Sequence, residues 1–378
     1  MKKVLIVTST ASMIDQFLLP SITLLQEMGY EVNIACNFIS GNTCTPAKIA
    51  SVKNYLEAIH VSYFQVDIVR EVFDFKAHVR AYKDLLNILS EGGYSFVHCH
   101  SPIGGVIARL AARKANVKVF YTAHGFHFYK GAPLKNWVLY YPVEKFCSYF
   151  TDVLITINHE DYNFAQQKLR AKKVYYVPGV GVDTSNINRD TSVRKELREQ
   201  YGIPADKGLL LSVGELNLNK NHEIVIRAIA KMPGVYYMVA GQGFLRQKYE
   251  ALIKELNIED RVMLLGFCND ILDLYNAADL FVFPSFREGL SVSLMEAMAI
   301  GLPVACSKIR GNVDLIDTDG GRFFDPHNEK DILTAISEIL GMSPDEKMAL
   351  GIHNKNKILR FDIDKVNRTL RLIYEENQ

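Results

Sequence analysis

Ser285-Phe286-Arg287-Glu288-Gly289-Leu290-Ser291-Val292-Ser293-Leu294-Met295-Glu296-Ala297-Met298-Ala299-Ile300-Gly301-Leu302-Pro303-Val304 carries two carboxylates, Glu288 and Glu296, with seven residues between them. Upstream, Leu280-Phe281-Val282-Phe283-Pro284 is an apolar run of strand length, and Leu302-Pro303-Val304-Ala305 begins another. The window therefore reads as strand, loop, helix, strand, a βαβ unit; in open parallel sheets ligands bind at the carboxyl ends of strands. Gly289 and the small residues after it let the backbone turn closely into the helix. The first N–H groups of a helix lack intrahelical partners and its dipole favours an anion. Glu288 falls just before that anion site and Glu296 a turn into the helix, so each reaches hydroxyls on either side of a bound phosphate. A sugar, a diphosphate and a ribose in a row have that layout. Ser293-Leu294-Met295-Glu296 also fits a capping box, in which Glu296 bonds back to the helix start.

Outward from this window, apolar runs alternate with amphipathic helical stretches, the pattern of parallel α/β sheets covered on both faces. In the first half, strands are expected at Val4 to Val7, Val32 to Ala35, Phe96 to Cys99, Val117 to Thr122, Val153 to Ile157 and Val174 to Val177. In the second, Leu209 to Val213, Val235 to Ala240, Val262 to Leu265, Leu280 to Phe283 and Pro303 to Cys306 play the same part. Pro178 to Asn188, rich in Gly and polar residues, reads as a linker and hinge. Asp362 to Glu375 is helical by its Ile363, Val366, Leu370 and Ile373 spacing. The expectation is an α/β chain of two doubly wound, Rossmann-like domains facing a central cleft, residues 1–180 and 181–360, with a terminal helix at 361–378.

Composition narrows the class. With 378 residues, 48% hydrophobic and 22% charged, the chain can bury two substantial cores. A net charge of +1 offers no global field for nucleic acid. The six cysteines contain no C-x-x-C pair, against both a zinc site and a disulfide framework. His98 and His100 share a strand face without a third ligand nearby, so no metal is expected. The scattered cysteines make a reducing cytoplasm the expected setting. The first residues read as a strand rather than a signal peptide, and no stretch has the length to cross a bilayer.

Several motifs recur in one order: Gly179-Val180-Gly181-Val182-Asp183, Ser212-Val213-Gly214 followed by Lys220, Ala240-Gly241-Gln242-Gly243, Leu265-Gly266-Phe267 before Ala278-Asp279, then the glutamate pair. Their joint spacing over nearly the whole chain resembles the retaining glycosyltransferase family 4, of GT-B fold. Tyr121-Thr122-Ala123-His124-Gly125-Phe126-His127-Phe128-Tyr129 and Gly214-Glu215-Leu216-Asn217 are similar to the branch that builds capsular or exopolysaccharide repeat units.

The resemblance implies roles for particular residues. Glu288, Lys220 and His124 become the catalytic set, with Glu288 holding sugar hydroxyls, Lys220 the diphosphate and His124 the donor sugar. Gly214, Glu215, Gly241, Gly243, Phe267, Gly289, Leu290, Ser291, Val292 and Glu296 become the donor site, Glu296 taking the ribose hydroxyls. Lys220 is expected to open a helix from Asn221 to Lys231, its ammonium beside a diphosphate. The nucleotide base is expected near Gly266-Phe267-Cys268-Asn269-Asp270-Ile271.

Two departures stand out. Glu215 occupies the family's usual Arg position and cannot neutralise a diphosphate, so Lys220 and backbone amides hold most of the leaving charge, with Arg287 or Arg310 as candidate compensators. Ser9-Thr10-Ala11-Ser12-Met13 replaces the usual paired glycines of the first loop.

The implied reaction moves a hexosyl or N-acetylhexosaminyl group from a nucleotide sugar, in particular a UDP-sugar, without metal or other cofactor. Anomeric configuration is retained, and the diphosphate accepts the acceptor's proton. The implied acceptor is a glycan or a polyprenyl-diphosphate-linked sugar. The stretch Tyr129 to Tyr141, rich in aromatic and lysine residues, suits either a membrane interface on the inner leaflet or packed core. Two other readings share the fold: a sugar-nucleotide 2-epimerase, which needs no acceptor, and a non-catalytic sugar-nucleotide-binding partner of another glycosyltransferase.

Overall fold

The computed structural model describes residues 2–42, 44–185, 190–268 and 270–378. Its strands are β1 (Lys2–Thr10), β2 (Tyr30–Asn37), β3 (Ser62–Gln65), β4 (Tyr94–His100), β5 (Lys118–Ala123), β6 (Val153–Thr156), β7 (Lys173–Tyr176), β8 (Gly208–Val213), β9 (Val235–Ala240), β10 (Val262–Gly266), β11 (Leu280–Phe283), β12 (Val304–Ser307) and β13 (Gly321–Phe324). They form a sheet of order β3-β2-β1-β4-β5-β6-β7 and another of order β10-β9-β8-β11-β12-β13, every pairing parallel. In each sheet the chain reverses its direction of travel once, between β1 and β4 and between β8 and β11.

Expected strand positions hold to within a few residues at the ends, but β3 and β13 were not foreseen. β3 is an edge strand whose residues are mostly exposed, and β13 follows a Thr-Asp-Gly-Gly turn, so neither shows the apolar periodicity that marks a strand. Of the expected linker, residues 186–188 lie outside the described residues.

The chain divides into two compact units, Met1–Val180 with Asp364–Gln378, and Gly181–Ile363. Successive strand residues feed opposite faces of each sheet. In the first unit, Val4, Ile6, Val32 and Ile34 pack one side and Leu5, Val7, Val97 and Val119 the other. Helix Ile363–Glu376 sends Val366, Leu370, Ile373 and Tyr374 into the first of these cores. In the second unit, Leu209, Leu211, Phe281 and Phe283 pack one side, and Leu210, Val239, Leu280 and Val282 the other.

One polar interaction crosses the helical layer of the first unit. Arg109, fully buried on helix Pro102–Ala115, makes a bidentate bond to Glu144 of helix Leu134–Ser148, with N···O distances of 2.6 and 3.1 Å. Its Nε donates to the Gly105 carbonyl at 2.9 Å, and its guanidinium lies 4.1 Å from the Tyr121 ring centroid. Removing one partner leaves a buried charge uncompensated, so Glu144→Ala is expected to cost about 3–5 kcal/mol. Urea unfolding checks this, and the apolar double variant Arg109→Met with Glu144→Leu is expected to recover most of the loss.

Candidate functional site

The loops after β8 and β11 leave neighbouring strands at the point where the second sheet reverses its strand order. That is where an open parallel sheet leaves room for a ligand. The β8 loop runs from Gly214 to Asn221 and the β11 loop from Pro284 to Ser291, and side chains of the first staple them together. Asn219 Nδ2 donates to the Arg287 carbonyl at 2.9 Å, and Phe286 N donates to the Asn219 carbonyl at 2.8 Å. Asn221, held left-handed at φ 54°, donates from Nδ2 to the carbonyls of Pro284 and Pro326.

Within this frame Lys220 Nζ donates to Glu288 Oε1 at 2.8 Å, the two side chains being 19% and 14% exposed. The ammonium also lies 4.7 Å from the Phe283 ring centroid, and its methylenes run along the space a side chain at Gly214 would fill. The helix expected from Asn221 to Lys231 is His222–Ala230 with Asn221 and Lys231 as its caps, and Lys220 stands directly before the left-handed N-cap. Asn217 Oδ1 accepts from Lys220 N, and the turn this bond closes aims the lysine at Glu288.

Glu296 lies in helix Val292–Ala299, capped by Ser291, whose hydroxyl accepts from Leu294 N at 3.4 Å. The capping box from Ser293 to Glu296 is therefore not formed. Glu296 Oε2 instead accepts from the Tyr275 hydroxyl at 2.9 Å, and Ser293 Oγ donates to the Val213 carbonyl at 3.2 Å. Burial raises the Glu296 carboxyl above its ordinary range, against the opposing effect of the Tyr275 hydrogen bond.

Gly241 and Gly243 bring the β9 loop onto the β8 loop. A Cβ at Gly241, whose φ is +155°, would sit 1.9 Å from the Gly214 carbonyl oxygen, and one at Gly243 would sit 2.3 Å from that of Leu216. Phe267 follows β10 and is 67% exposed, while Asn269 of the same expected base-binding segment lies outside the described residues. Glu215 is exposed and accepts from Asn217 Nδ2 at 3.0 Å, leaving Lys220 to Glu288. Leu290 and Val292 lean on the second unit's core as partly buried side chains.

Residues without a clear motif join the same place. Gly311, with φ +78°, packs so closely that a Cβ would sit 2.3 Å from the Gly289 carbonyl oxygen, which puts the buried Arg310 beside the Glu288-Gly289 loop. His222 is buried with Nδ1 3.2 Å from the Tyr237 hydroxyl, its pKa lowered to about 3 chiefly by burial and then by Lys220. Among the described residues, Asp317, Asp319 and His353 form a cluster of metal-ligand types, but Lys357 and His353 already engage the Asp317 carboxylate at 2.6 and 2.8 Å.

In the first unit, His124 follows β5 and its Nε2 lies 3.1 Å from His100 Nδ1 at the end of β4. The His98 and His100 rings are 4.2 Å apart, and both nitrogens of His98 are engaged at 2.8 Å, Nδ1 with the Tyr374 hydroxyl and Nε2 with that of Thr122. Burial keeps all three imidazoles neutral: the pKa falls to about 3 for His98 and about 4 for His124, and well below the ordinary value for His100. The altered first loop continues β1 into the short helix Ala11–Met13, and Ser9 Oγ pairs with Ser101 Oγ at 2.7 Å.

The stretch Tyr129 to Tyr141 divides. Trp137 and Tyr141 turn inward to rings of Phe128 and Phe164, at centroid distances of 5.4 to 5.7 Å. Leu134 and Val138 remain exposed. The packed-core reading of this segment thus holds for one face of helix Leu134–Ser148, while the opposite face is left exposed.

Two doubly wound parallel sheets, the second with a lysine and glutamate paired at its reversal point, define the GT-B class of glycosyltransferase. A profile described as Glycosyltransferase Family 4 matches residues 22–186, and one described as Glycosyl transferases group 1 matches residues 193–356. EpsD of Bacillus subtilis is 36% identical over 99% of this chain and 96% of its own length. The UDP-Gal:alpha-D-GlcNAc-diphosphoundecaprenol alpha-1,3-galactosyltransferase of Escherichia coli is 28% identical over 90% of this chain and 88% of its own. The crystal structure of Anabaena HepE in complex with UDP and glucose matches at a TM-score of 0.80 and 20% identity, covering 100% of both chains. The chain belongs to glycosyltransferase family 4. Among its described residues, no helix is long and apolar enough to cross a membrane.

Proposed function

We propose that the protein transfers a hexosyl or N-acetylhexosaminyl group from a UDP-sugar to a polyprenyl-diphosphate-linked sugar or other glycan acceptor, with retention and without a metal. It acts in cell-surface polysaccharide synthesis at the cytoplasmic face of the membrane. The observation that carries this reading is the Lys220–Glu288 pair, a cation and a carboxylate held 2.8 Å apart at the strand-order reversal.

In this reaction negative charge grows on the departing diphosphate while the anomeric carbon becomes cationic, so fixed positive groups around the diphosphate lower the barrier. Lys220 and the amides of Gly289 to Val292 provide them, and Arg310 supplies the second cation that Glu215 does not. The acceptor hydroxyl attacks the anomeric carbon from the side the diphosphate leaves. The bond from carbon to diphosphate oxygen breaks with its electron pair, and the hydroxyl proton passes to the diphosphate. Glu288 accepts hydrogen bonds from sugar hydroxyls and Glu296 from ribose hydroxyls.

A ligand that binds only the folded form stabilises it by about 2.7 kcal/mol at a hundred times its Kd. Thermal unfolding against a panel of nucleoside diphosphates and their sugars is therefore expected to show a selective rise with UDP and one UDP-sugar. A folded sample that responds to no nucleotide rejects the donor assignment. The anomeric configuration of the product by NMR, with and without chelator, tests retention and metal independence.

A further inference from the structure

Helix Leu134–Ser148 of the first unit carries its polarity inside out. Its buried positions are Glu144, Cys147 and Ser148, the carboxylate being tied to Arg109. Outward, Leu134 is 77% exposed, Val138 70%, Phe146 57% and Tyr149, just past the helix end, 59%. With 3.6 residues per turn these side chains fall within roughly a third of the helix circumference. Pro142 is exposed on the same arc.

The exposed charges carried by residues 130–149 have one sign, and a carboxylate from beyond them, Glu160, accepts from Lys130 N at 2.8 Å. Lys130, Lys135 and Lys145 are exposed, and the only acidic residue from 130 to 149 is the buried Glu144. Apolar side chains gathered on one exposed arc mark a contact site. Lys135 and Lys145 fall in the same arc, and apolar groups interspersed with lysines, with no exposed carboxylate from residue 130 to 149, suit the boundary between anionic headgroups and acyl chains. A second copy seated on the same face would bring lysines against lysines.

We propose that this face seats the enzyme on an anionic lipid bilayer, with Leu134, Val138, Phe146 and Tyr149 at the acyl boundary and the lysines on lipid phosphates. The proposal rests on the glycosyltransferase reading and deepens it, since a lipid-linked acceptor would be met at that surface.

The test is flotation of the full chain with vesicles of phosphatidylcholine alone and of equal parts phosphatidylcholine and phosphatidylglycerol, alongside transfer to a water-soluble acceptor. Wild type is expected to float with the mixed vesicles and far less with phosphatidylcholine alone. Each lysine near the surface is worth about fivefold in binding, so Lys135→Glu with Lys145→Glu is expected to weaken flotation by roughly 30-fold or more. The triple variant Leu134→Glu, Val138→Glu, Phe146→Glu is expected to stay in solution with the mixed vesicles, while both variants keep wild-type activity on the soluble acceptor. Flotation of the variants equal to wild type overturns the proposal. So does a wild-type dimer that the triple variant splits while neither protein floats, which would assign the face to a second copy. Flotation without any transfer activity in wild type would instead reject the catalytic reading and leave the membrane surface standing.

Discussion

Lys220→Ala is expected to lower kcat about 100- to 1,000-fold, the range seen when one preorganised donor to a developing anion is removed. The second unit should stay folded, because the two loops remain joined by Asn219 and Asn221. The effect follows from how Lys220 is placed. It lies along Gly214, over Phe283, and is held by Glu288 at 2.8 Å, so its ammonium is fixed before a diphosphate arrives. Glu288→Ala is expected to fall by a similar factor, having lost both a partner for sugar hydroxyls and the group that restrains Lys220. Groups acting as a unit give non-additive losses, so the double variant should be little worse than either single one. Initial rates of UDP release, with thermal unfolding as the control for folding, provide the check. Wild-type turnover by either single variant would defeat the assignment.

The largest effect on stability is expected from acid. His98 and His100 of the first unit and His222 of the second are buried, His124 is half-buried, and all four are neutral, with pKa values depressed in the fold. Below the ordinary histidine value of about 6.5 the unfolded chain takes up protons that the folded chain refuses, so stability rises with pH through this window and is lost as pH falls. Each histidine contributes up to about 2 kcal/mol between pH 7 and pH 5. Glu296 acts the other way: its raised pKa lets the fold keep a proton that the unfolded chain releases, which offsets part of the His222 effect. The first unit should therefore be the more acid-labile, losing up to about 6 kcal/mol over those two pH units against up to about 2 kcal/mol for the second. Urea unfolding at pH 7 and pH 5, read by probes in each unit, measures this. Equal midpoints at the two pH values would contradict it.

Much of this architecture was legible because buried parallel strands leave continuous apolar runs, and eleven of the thirteen strands do so. β3 and β13 escaped because pairing at the sheet margins held them, with exposed or glycine-preceded residues that carry no period. The glutamate window could be read from its own strand-loop-helix setting and Lys220 from the family resemblance, yet their direct pairing could not, since β8 and β11 become neighbours only through the crossing order of the sheet. Arg310 was named without a location, and it took Gly311 against the Gly289 carbonyl to supply one. His100 was weighed only as a metal ligand beside His98. Its hydrogen bond to His124 depends on β4 lying next to β5, a fact of topology rather than of local sequence. In the segment after Tyr129, composition alone could not separate the face that packs on Phe164 from the face left bare.

The placement of helix Ile363–Glu376 has a consequence for how the molecule is made. Its Tyr374 closes the hydrogen bond to His98 and fills the core beneath β1, β4 and β5. A ribosome delivers the first unit's strands early but this helix only after the second unit, which is one uninterrupted segment, Gly181–Ile363. Domains generally fold as units while they are being synthesised. The later-encoded unit can therefore finish first, and the earlier one must wait, with part of its apolar core uncovered, until this helix has also emerged.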